Sequence, residues 1–113
     1  MGTHYLKEND TRPVLQVALK NPDETAYDLT GASSMKLFIR LSDGTELSAR
    51  TMVAVGDDTD GVVRYTWVAG DWDDLIVGEH EIEYEVIDSS GGRSTFPNAG
   101  YDTLLIVSDI GDG

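Results

Sequence analysis

Few side chains in the sequence are suited to catalysis. The imidazoles are those of His4, near the amino terminus, and His80, on the apolar face of a predicted strand. A histidine in such a position is more often structural than catalytic. Serines stand mostly in predicted turns, such as Ser89 and Ser90, and lack the small-residue elbow that exposes a nucleophilic hydroxyl. We therefore predict no catalytic residue and do not expect an enzyme.

An acidic loop, Asp57-Asp58-Thr59-Asp60-Gly61, contains the residue types that bind calcium. Its spacing does not follow the EF-hand pattern, because Gly56 occupies the position of the first Asp and Trp67 that of the closing Glu. Zero cysteines exclude thiolate sites as well. We therefore expect no metal site and no cofactor, and interpret the loop as a solvated connection.

The least ordinary chemical feature is a row of carboxylates on one predicted strand. Glutamates occupy every second position there: Glu79, Glu81, Glu83 and Glu85. Alternate residues of a strand lie about 6.5 to 7 Å apart, within a Debye length of about 8 Å, so these charges repel unless cations lie between them. The candidate cations are Arg40, Arg50, Arg64 and Arg93. The row is either a solvated face that discourages aggregation or a docking surface for a basic partner.

Strands must position these residues, because hydrophobic side chains recur with a period of two along most of the chain. The predicted strands are Pro13–Leu19, Ser34–Leu41, Thr45–Val55, Val62–Trp67, Glu79–Asp88, Arg93–Phe96 and Tyr101–Val107. Asp43-Gly44 predicts a hairpin turn, and Asp71 is positioned to cap one short helical turn. The pattern predicts an all-β fold, an antiparallel immunoglobulin-like β-sandwich of about seven strands over residues 11–107. Residues 1–10 are expected to form an N-terminal arm and residues 108–113 a C-terminal tail.

The sequence contains more apolar side chains than one buried face of each strand can accommodate. Phe38 points away from the apolar set of its strand, Trp72 lies in a connection, and residues 104–107 are apolar on both faces. Either the terminal arms cover these side chains or they form an association surface. The candidate interface residues are therefore Phe38, Trp72, Glu81, Glu83, Glu85, Leu104 and Ile106.

Length and charge restrict the class of protein further. The chain has 113 residues, enough for one domain with a core. Eight Lys and Arg against 21 Asp and Glu give a net charge of −13, which repels nucleic-acid phosphates and anionic lipid. The sequence lacks an apolar run of the roughly 18 to 20 residues that cross a bilayer, and its start does not resemble a secretion signal. We expect a soluble domain whose partners are neither nucleic acid nor membrane.

Four segments together resemble a known family. They are Asp28–Ala32, Gly61–Trp67, Gly78–His80 and Thr95–Tyr101. They resemble the N-terminal domain family of phage baseplate upper proteins, and the most specific part is Phe96-Pro97-Asn98-Ala99-Gly100-Tyr101. Asn98 and Gly100 are residue types that favour turns, so a turn at this position explains their presence independently of the family.

The resemblance implies a virion protein with an immunoglobulin-like fold and no enzyme activity. Family members often precede a receptor-binding region, whereas this sequence stops at Gly113. The resemblance therefore implies an adaptor or decoration domain of the tail, baseplate or capsid. Such a domain would contact other virion proteins, as a homo-oligomer or in repeated copies, with its arms pairing with neighbours. The alternative is a carbohydrate- or host-surface-binding module that uses Trp72 and Phe38 as stacking platforms.

Overall fold

Strands dominate the computed structural model of the protein, which describes residues 2–98 and 100–108. The strands are β1 (Thr3–Lys7), β2 (Leu15–Ala18), β3 (Ser34–Arg40), β4 (Arg50–Thr51), β5 (Val53–Ala54), β6 (Val62–Tyr65), β7 (Gly78–Ile87), β8 (Arg93–Phe96) and β9 (Asp102–Val107). Two short 3-10 helices, Asp58–Asp60 and Ala69–Asp73, lie in connections. The described residues thus form a nearly all-β structure, as predicted.

The strands form two sheets that enclose the core. The larger sheet has the order β1-β9-β7-β3-β4, with β8 also paired to β7, and the smaller has the order β2-β6-β5. Strands β1 and β9 pair in parallel, and the other named pairs are antiparallel. Leu37 and Ile82 of the larger sheet and Leu15 and Val63 of the smaller are buried in one cluster. The predicted antiparallel β-sandwich is confirmed.

Strand β7 is the centre of the larger sheet. Its residues His80, Ile82, Tyr84 and Val86 are buried, as the alternation predicts. Strand β3 pairs with it along one side, while β9 and β8 pair in succession along the other. Between β8 and β9 the chain leaves the sheet at Pro97, which has no N–H group to donate to a ladder.

The predicted hairpin at Asp43-Gly44 is present, but the returning strand is not continuous. The Leu41 N–H donates to the Thr45 carbonyl at 2.7 Å, and Gly44 has a φ of 92°, which favours glycine. Strand β4 then pairs with β3 in the larger sheet, while β5 pairs with β6 in the smaller. Met52, between them, is buried and anchors the change of sheet.

The predicted helical turn exists, but Asp71 does not cap it as a surface acid. The turn begins after Val68, and Asp71 is buried within it. Its carboxylate accepts hydrogen bonds from Arg50 Nε at 3.1 Å, the Tyr65 hydroxyl at 2.9 Å and the Val68 N–H at 2.9 Å. Asp71 therefore ties the turn to strands of both sheets.

The prediction of an N-terminal arm over residues 1–10 is wrong for Thr3–Lys7. These residues form β1, which pairs in parallel with β9, and Leu6 is buried in the core. A five-residue strand whose partner lies about 100 residues away in the sequence gives too weak a local pattern to be recognised. Of the predicted tail 108–113, residues 109–113 lie outside the described residues.

Leu104 and Ile106 are core residues rather than interface residues. Their exposed fractions are 1% and 0%, because β9 directs them towards the core and β1 covers its outer edge. Leu105 and Val107 lie on the opposite face and are half-buried. The apolar run therefore reflects a strand that is covered by its neighbours, which was the other of the two sequence-based alternatives.

This burial predicts a large difference between adjacent leucines. Leu104→Ala should lower the free energy of unfolding by about 2 to 5 kcal/mol, because it removes buried methyl groups and leaves a cavity. Leu105→Ala, the matched control on the opposite face, should cost clearly less. Urea denaturation of both variants measures the difference, and equal losses would contradict the burial assigned to Leu104.

Candidate protein-docking face

The predicted row of glutamates lies on the outer face of the larger sheet. Because alternate residues of β7 face the core, Glu79, Glu81, Glu83 and Glu85 point the other way. Glu79 is exposed, and the other three are half-buried among the side chains of neighbouring strands. This face is therefore more enclosed than a fully solvated row of charges.

Arginines neutralise part of the row, as the sequence predicts. Arg40 on β3 lies opposite Glu81, and its Nε donates to the Glu81 carboxylate at 2.6 Å. Arg93 on β8 donates to the Glu85 carboxylate at 3.4 Å. Of the other two predicted cations, Arg50 bonds to the buried Asp71 instead, and Arg64 lies on β6 in the smaller sheet.

Glu83, in the middle of the row, lies opposite an aromatic ring rather than a cation. The register of β3 and β7 pairs it with Phe38, which is half-buried on the same outer face. Within residues 2–98 and 100–108, the salt bridges found on this face do not include Glu83. A carboxylate and an aromatic ring therefore stand side by side, available to one partner.

A groove of about 460 Å³ runs along this part of the face. Phe38 and Glu83 line it, together with Tyr101 and the segment containing Glu46 and Leu47. Leu47 is held against β3 because its N–H donates to the Ile39 carbonyl at 2.9 Å. We refer to this site, lined by Phe38, Arg40, Glu46, Glu81, Glu83 and Tyr101, as the outer-face groove.

Tyr101 and Arg40 fix the geometry at one end of the outer-face groove. The Tyr101 hydroxyl donates to Glu81, and the Arg40 guanidinium carbon lies 5.9 Å from the centre of the Tyr101 ring. Hydrogen bonds from Tyr101 and Arg40 hold the pKa of Glu81 below its usual range. The groove thus combines two aromatic rings with three carboxylates and one guanidinium, which makes it acidic.

Trp72 does not belong to this surface. Its indole Nε1 donates to the Asp10 carbonyl at 3.0 Å, and its ring packs partly buried against the core. The chain following β1 therefore covers Trp72, in agreement with the alternative in which terminal residues cover the surplus apolar side chains. Of the predicted interface residues, Phe38, Glu81 and Glu83 come together in the groove, and Glu85 lies beside it on the same face.

Sequence analysis did not identify Tyr101 and Glu46 as members of this site. The sequence pattern places Tyr101 at the start of a strand and Glu46 within a continuous returning strand. The available signal was the turn chemistry of Pro97 to Gly100, which indicates that the chain leaves the sheet before Tyr101. Which residues Tyr101 then meets depends on strand register, which is not written in the local sequence.

A buried polar cluster that the sequence did not predict holds β1 in place. The Asp102 carboxylate accepts hydrogen bonds from the Tyr84 hydroxyl at 2.8 Å and from the Gly2 N–H at 2.8 Å. His4 Nε2 lies 3.3 Å from the same carboxylate. Burial opposes ionisation of Asp102, but these three hydrogen bonds outweigh it and lower its pKa. Burial next to this carboxylate raises the pKa of the Tyr84 phenol.

His80 has a structural environment, as predicted. It is buried, its Nδ1 accepts a hydrogen bond from the Ser42 N–H at 3.1 Å, and its Nε2 lies 2.7 Å from the Ile76 carbonyl. The described part of the chain contains no group of three or more His, Cys, Asp or Glu arranged to hold a metal ion. It also contains no helix that is long and apolar enough to cross a membrane.

Comparisons with known proteins inform the fold and leave the function open. No family model matches the chain, and no curated protein matches it. Among solved structures, the chain is similar to CopC from Methylosinus trichosporium OB3b, with a TM-score of 0.54 and 11% identity. The alignment covers 96% of this chain and 86% of that one. At this identity the similarity shows a shared β-sandwich fold alone.

The Asp102 cluster predicts a specific dependence of stability on pH. Because its pKa in the folded protein lies below the ordinary value of 3.8, Asp102 stabilises the fold above that value and loses this contribution as the pH falls through the folded pKa. Asp102→Asn should lower the free energy of unfolding at pH 7 by about 1 to 3 kcal/mol, since it disturbs a buried hydrogen-bond network. It should also make stability less sensitive to acid.

Urea denaturation at pH 7 and at pH 3 measures both effects. Asp58→Asn, which removes an exposed carboxylate, is the matched control for the loss of one charge. If Asp102→Asn and Asp58→Asn changed stability equally at both pH values, the stabilising role of Asp102 would be refuted.

Proposed function

We propose that this chain is a structural protein of a phage virion, an immunoglobulin-like adaptor or decoration domain of the tail, baseplate or capsid. It acts through protein–protein contacts and is present in repeated copies. The observation that carries the mode of action is the outer-face groove, in which Phe38 and Tyr101 stand among Glu46, Glu81 and Glu83. The placement in a virion is supported by the resemblance carried by Phe96 to Tyr101.

The segment that carries the resemblance also packs against the chain between β2 and β3. Phe96 is buried, and its ring and that of Tyr27 form an edge-to-face pair with a centroid distance of 4.8 Å. Asn98 Nδ2 donates to the Lys20 carbonyl at 2.9 Å, which holds the turn against the chain that follows β2. Tyr101, at the end of this segment, lines the outer-face groove. Family resemblance and docking site therefore meet in one segment.

The chemistry of the outer-face groove suits a basic protein surface. Aromatic rings supply apolar contact area, and carboxylates that become desolvated need cations as partners. Glu83 lies within the groove beside Phe38. An arginine or lysine of a neighbouring subunit would therefore pair with the Glu83 carboxylate, while the aliphatic part of the arginine or lysine side chain covers the Phe38 ring. The net charge of −13 favours a basic neighbour and opposes direct contact between copies at this site.

Carbohydrate or host-surface binding is the second candidate function. A sugar ring could stack on Phe38 or Tyr101 while its hydroxyls donate to Glu46 or Glu83, all of which line the outer-face groove. Trp72, the other stacking residue of this hypothesis, is held by Asp10 away from the groove. The two predicted stacking residues, Phe38 and Trp72, therefore do not form one binding surface, which favours the adaptor function over carbohydrate binding.

Incorporation into particles tests the proposed function. The wild-type chain should be present in purified particles in multiple copies, as measured by quantitative mass spectrometry. The double substitution Phe38→Ser with Glu83→Gln should reduce incorporation about tenfold or more, because it removes the central ring and carboxylate of the outer-face groove; tenfold corresponds to about 1.4 kcal/mol. Thermal unfolding of the isolated variant verifies that it folds.

Val53→Ser is the matched control, because Val53 is an exposed apolar residue of the smaller sheet. It should be incorporated like the wild type. Absence of the wild-type chain from particles would contradict the virion assignment, whereas normal incorporation of the double variant would contradict the groove as the contact. Calorimetric titration with an oligosaccharide panel should give no signal, and saturable binding abolished by Phe38→Ser would favour the second candidate.

A further inference from the structure

We propose that the outer edge of β1 is a second docking site, which accepts an extended, basic segment of another protein as an added strand. The site lies at the end of the larger sheet and shares no lining residue with the outer-face groove. It extends the proposed docking function to another surface, and each site can be tested without the other.

Strand β1 has one paired edge and one open edge. The Gly2 carbonyl accepts a hydrogen bond from the Thr103 N–H at 2.9 Å, and the Glu8 N–H donates to the Val107 carbonyl at 2.8 Å. In a parallel pair, alternate residues direct both backbone groups towards the partner strand, and the residues between them direct theirs away. The backbone groups of Thr3 and Tyr5 therefore point away from β9, and among the described strands β1 pairs with β9 alone.

The open edge faces a groove that would receive side chains of an added strand. This edge groove, of about 330 Å³, lies between β1 and the start of β2 and is lined by Pro13, Leu15, Trp67 and Leu104 among others. Leu15, Trp67 and Leu104 are buried core residues, so they form an apolar floor. Alternate side chains of an added strand point to the same face, so every second residue of the incoming segment should be apolar.

Strand β1 is fixed in position, and its open edge has few residues that prevent pairing with another strand. Leu6 is buried, and Gly2 and His4 contact the Asp102 carboxylate, which fixes β1 against β9. Proteins protect open edges with charges, prolines or bulges. Within Thr3–Lys7, Lys7 is the only Lys, Arg, Asp or Glu, and Tyr5 is 65% exposed on the outer side.

The negative net charge of the chain favours a basic segment at the open edge of β1. Pairing of β1 with β1 of a second copy would bring together two chains that each carry −13 charges. The same net charge repels an acidic segment. An extended segment that alternates apolar residues with lysine or arginine suits both the apolar floor of the edge groove and the net charge of −13.

A synthetic peptide tests the proposal. The probe is acetyl-Lys-Val-Lys-Val-Lys-Val-Lys-amide, and binding to the full chain is followed by NMR. The peptide should protect the Thr3 and Tyr5 amides from hydrogen exchange. Tyr5→Pro should weaken binding about tenfold or more, because it removes an N–H on the open edge while leaving the residues that pair with β9 unchanged. Tyr5→Ala, which keeps the N–H, is the matched control and should bind within about threefold of the wild type.

Three further measurements identify the binding mode. A peptide with methylated backbone nitrogens at alternate positions should not bind the wild type, which tests pairing even if Tyr5→Pro does not fold. A version with glutamate in place of lysine should bind at least tenfold more weakly. Phe38→Ser with Glu83→Gln should bind the basic peptide like the wild type, because the outer-face groove is not involved.

Several results would overturn the proposal. These are failure of the lysine peptide to bind, equal binding by Tyr5→Pro and Tyr5→Ala, and loss of binding in the outer-face groove variant. A wild-type dimer that Tyr5→Pro converts to monomer in light scattering would assign the edge to a second copy instead. Incorporation into particles tests the outer-face groove and peptide binding tests the edge of β1, so the two proposals fail separately.

Discussion

Apolar and acidic side chains alternate along β7, and this alternation determines the arrangement of both faces of the larger sheet. Ile82, Tyr84 and Val86 face the core, while the glutamates between them face outward. A slip of one residue would bury a row of carboxylates without partners, so the register of this strand is strongly fixed. That register sets Arg40 opposite Glu81 and Phe38 opposite Glu83. The composition of the outer-face groove thus follows from the packing of the core.

The same constraint organises the edges of the larger sheet. Because Tyr84 faces inward, its hydroxyl reaches the Asp102 carboxylate, which also accepts the Gly2 N–H. This buried acid fixes the amino-terminal strand on β9 and leaves the other edge of β1 open. A core residue, a buried carboxylate and an exposed edge are therefore linked through one short set of hydrogen bonds.

Local sequence pattern predicted the strands whose two faces differ in polarity, above all β3 and β7, and with them the sandwich fold. It failed where the outcome depends on residues distant in the chain. The pattern predicts Leu104 and Ile106 at an interface because it does not reveal the covering strand β1. Asp71 was assigned to the surface because its partner Arg50 lies on another strand. Tyr101 reaches the groove through a turn whose course the residue types indicate but whose register they do not.

On our proposal, the face bearing Phe38 and Glu83 is a contact surface. Cryo-electron microscopy of the native assembly tests it most directly, since each copy of the chain is seen with its neighbours. We expect a neighbouring subunit to cover the outer-face groove and to place an arginine or lysine beside Glu83. A map in which this groove faces solvent, and all contacts are made by the smaller sheet, would contradict it.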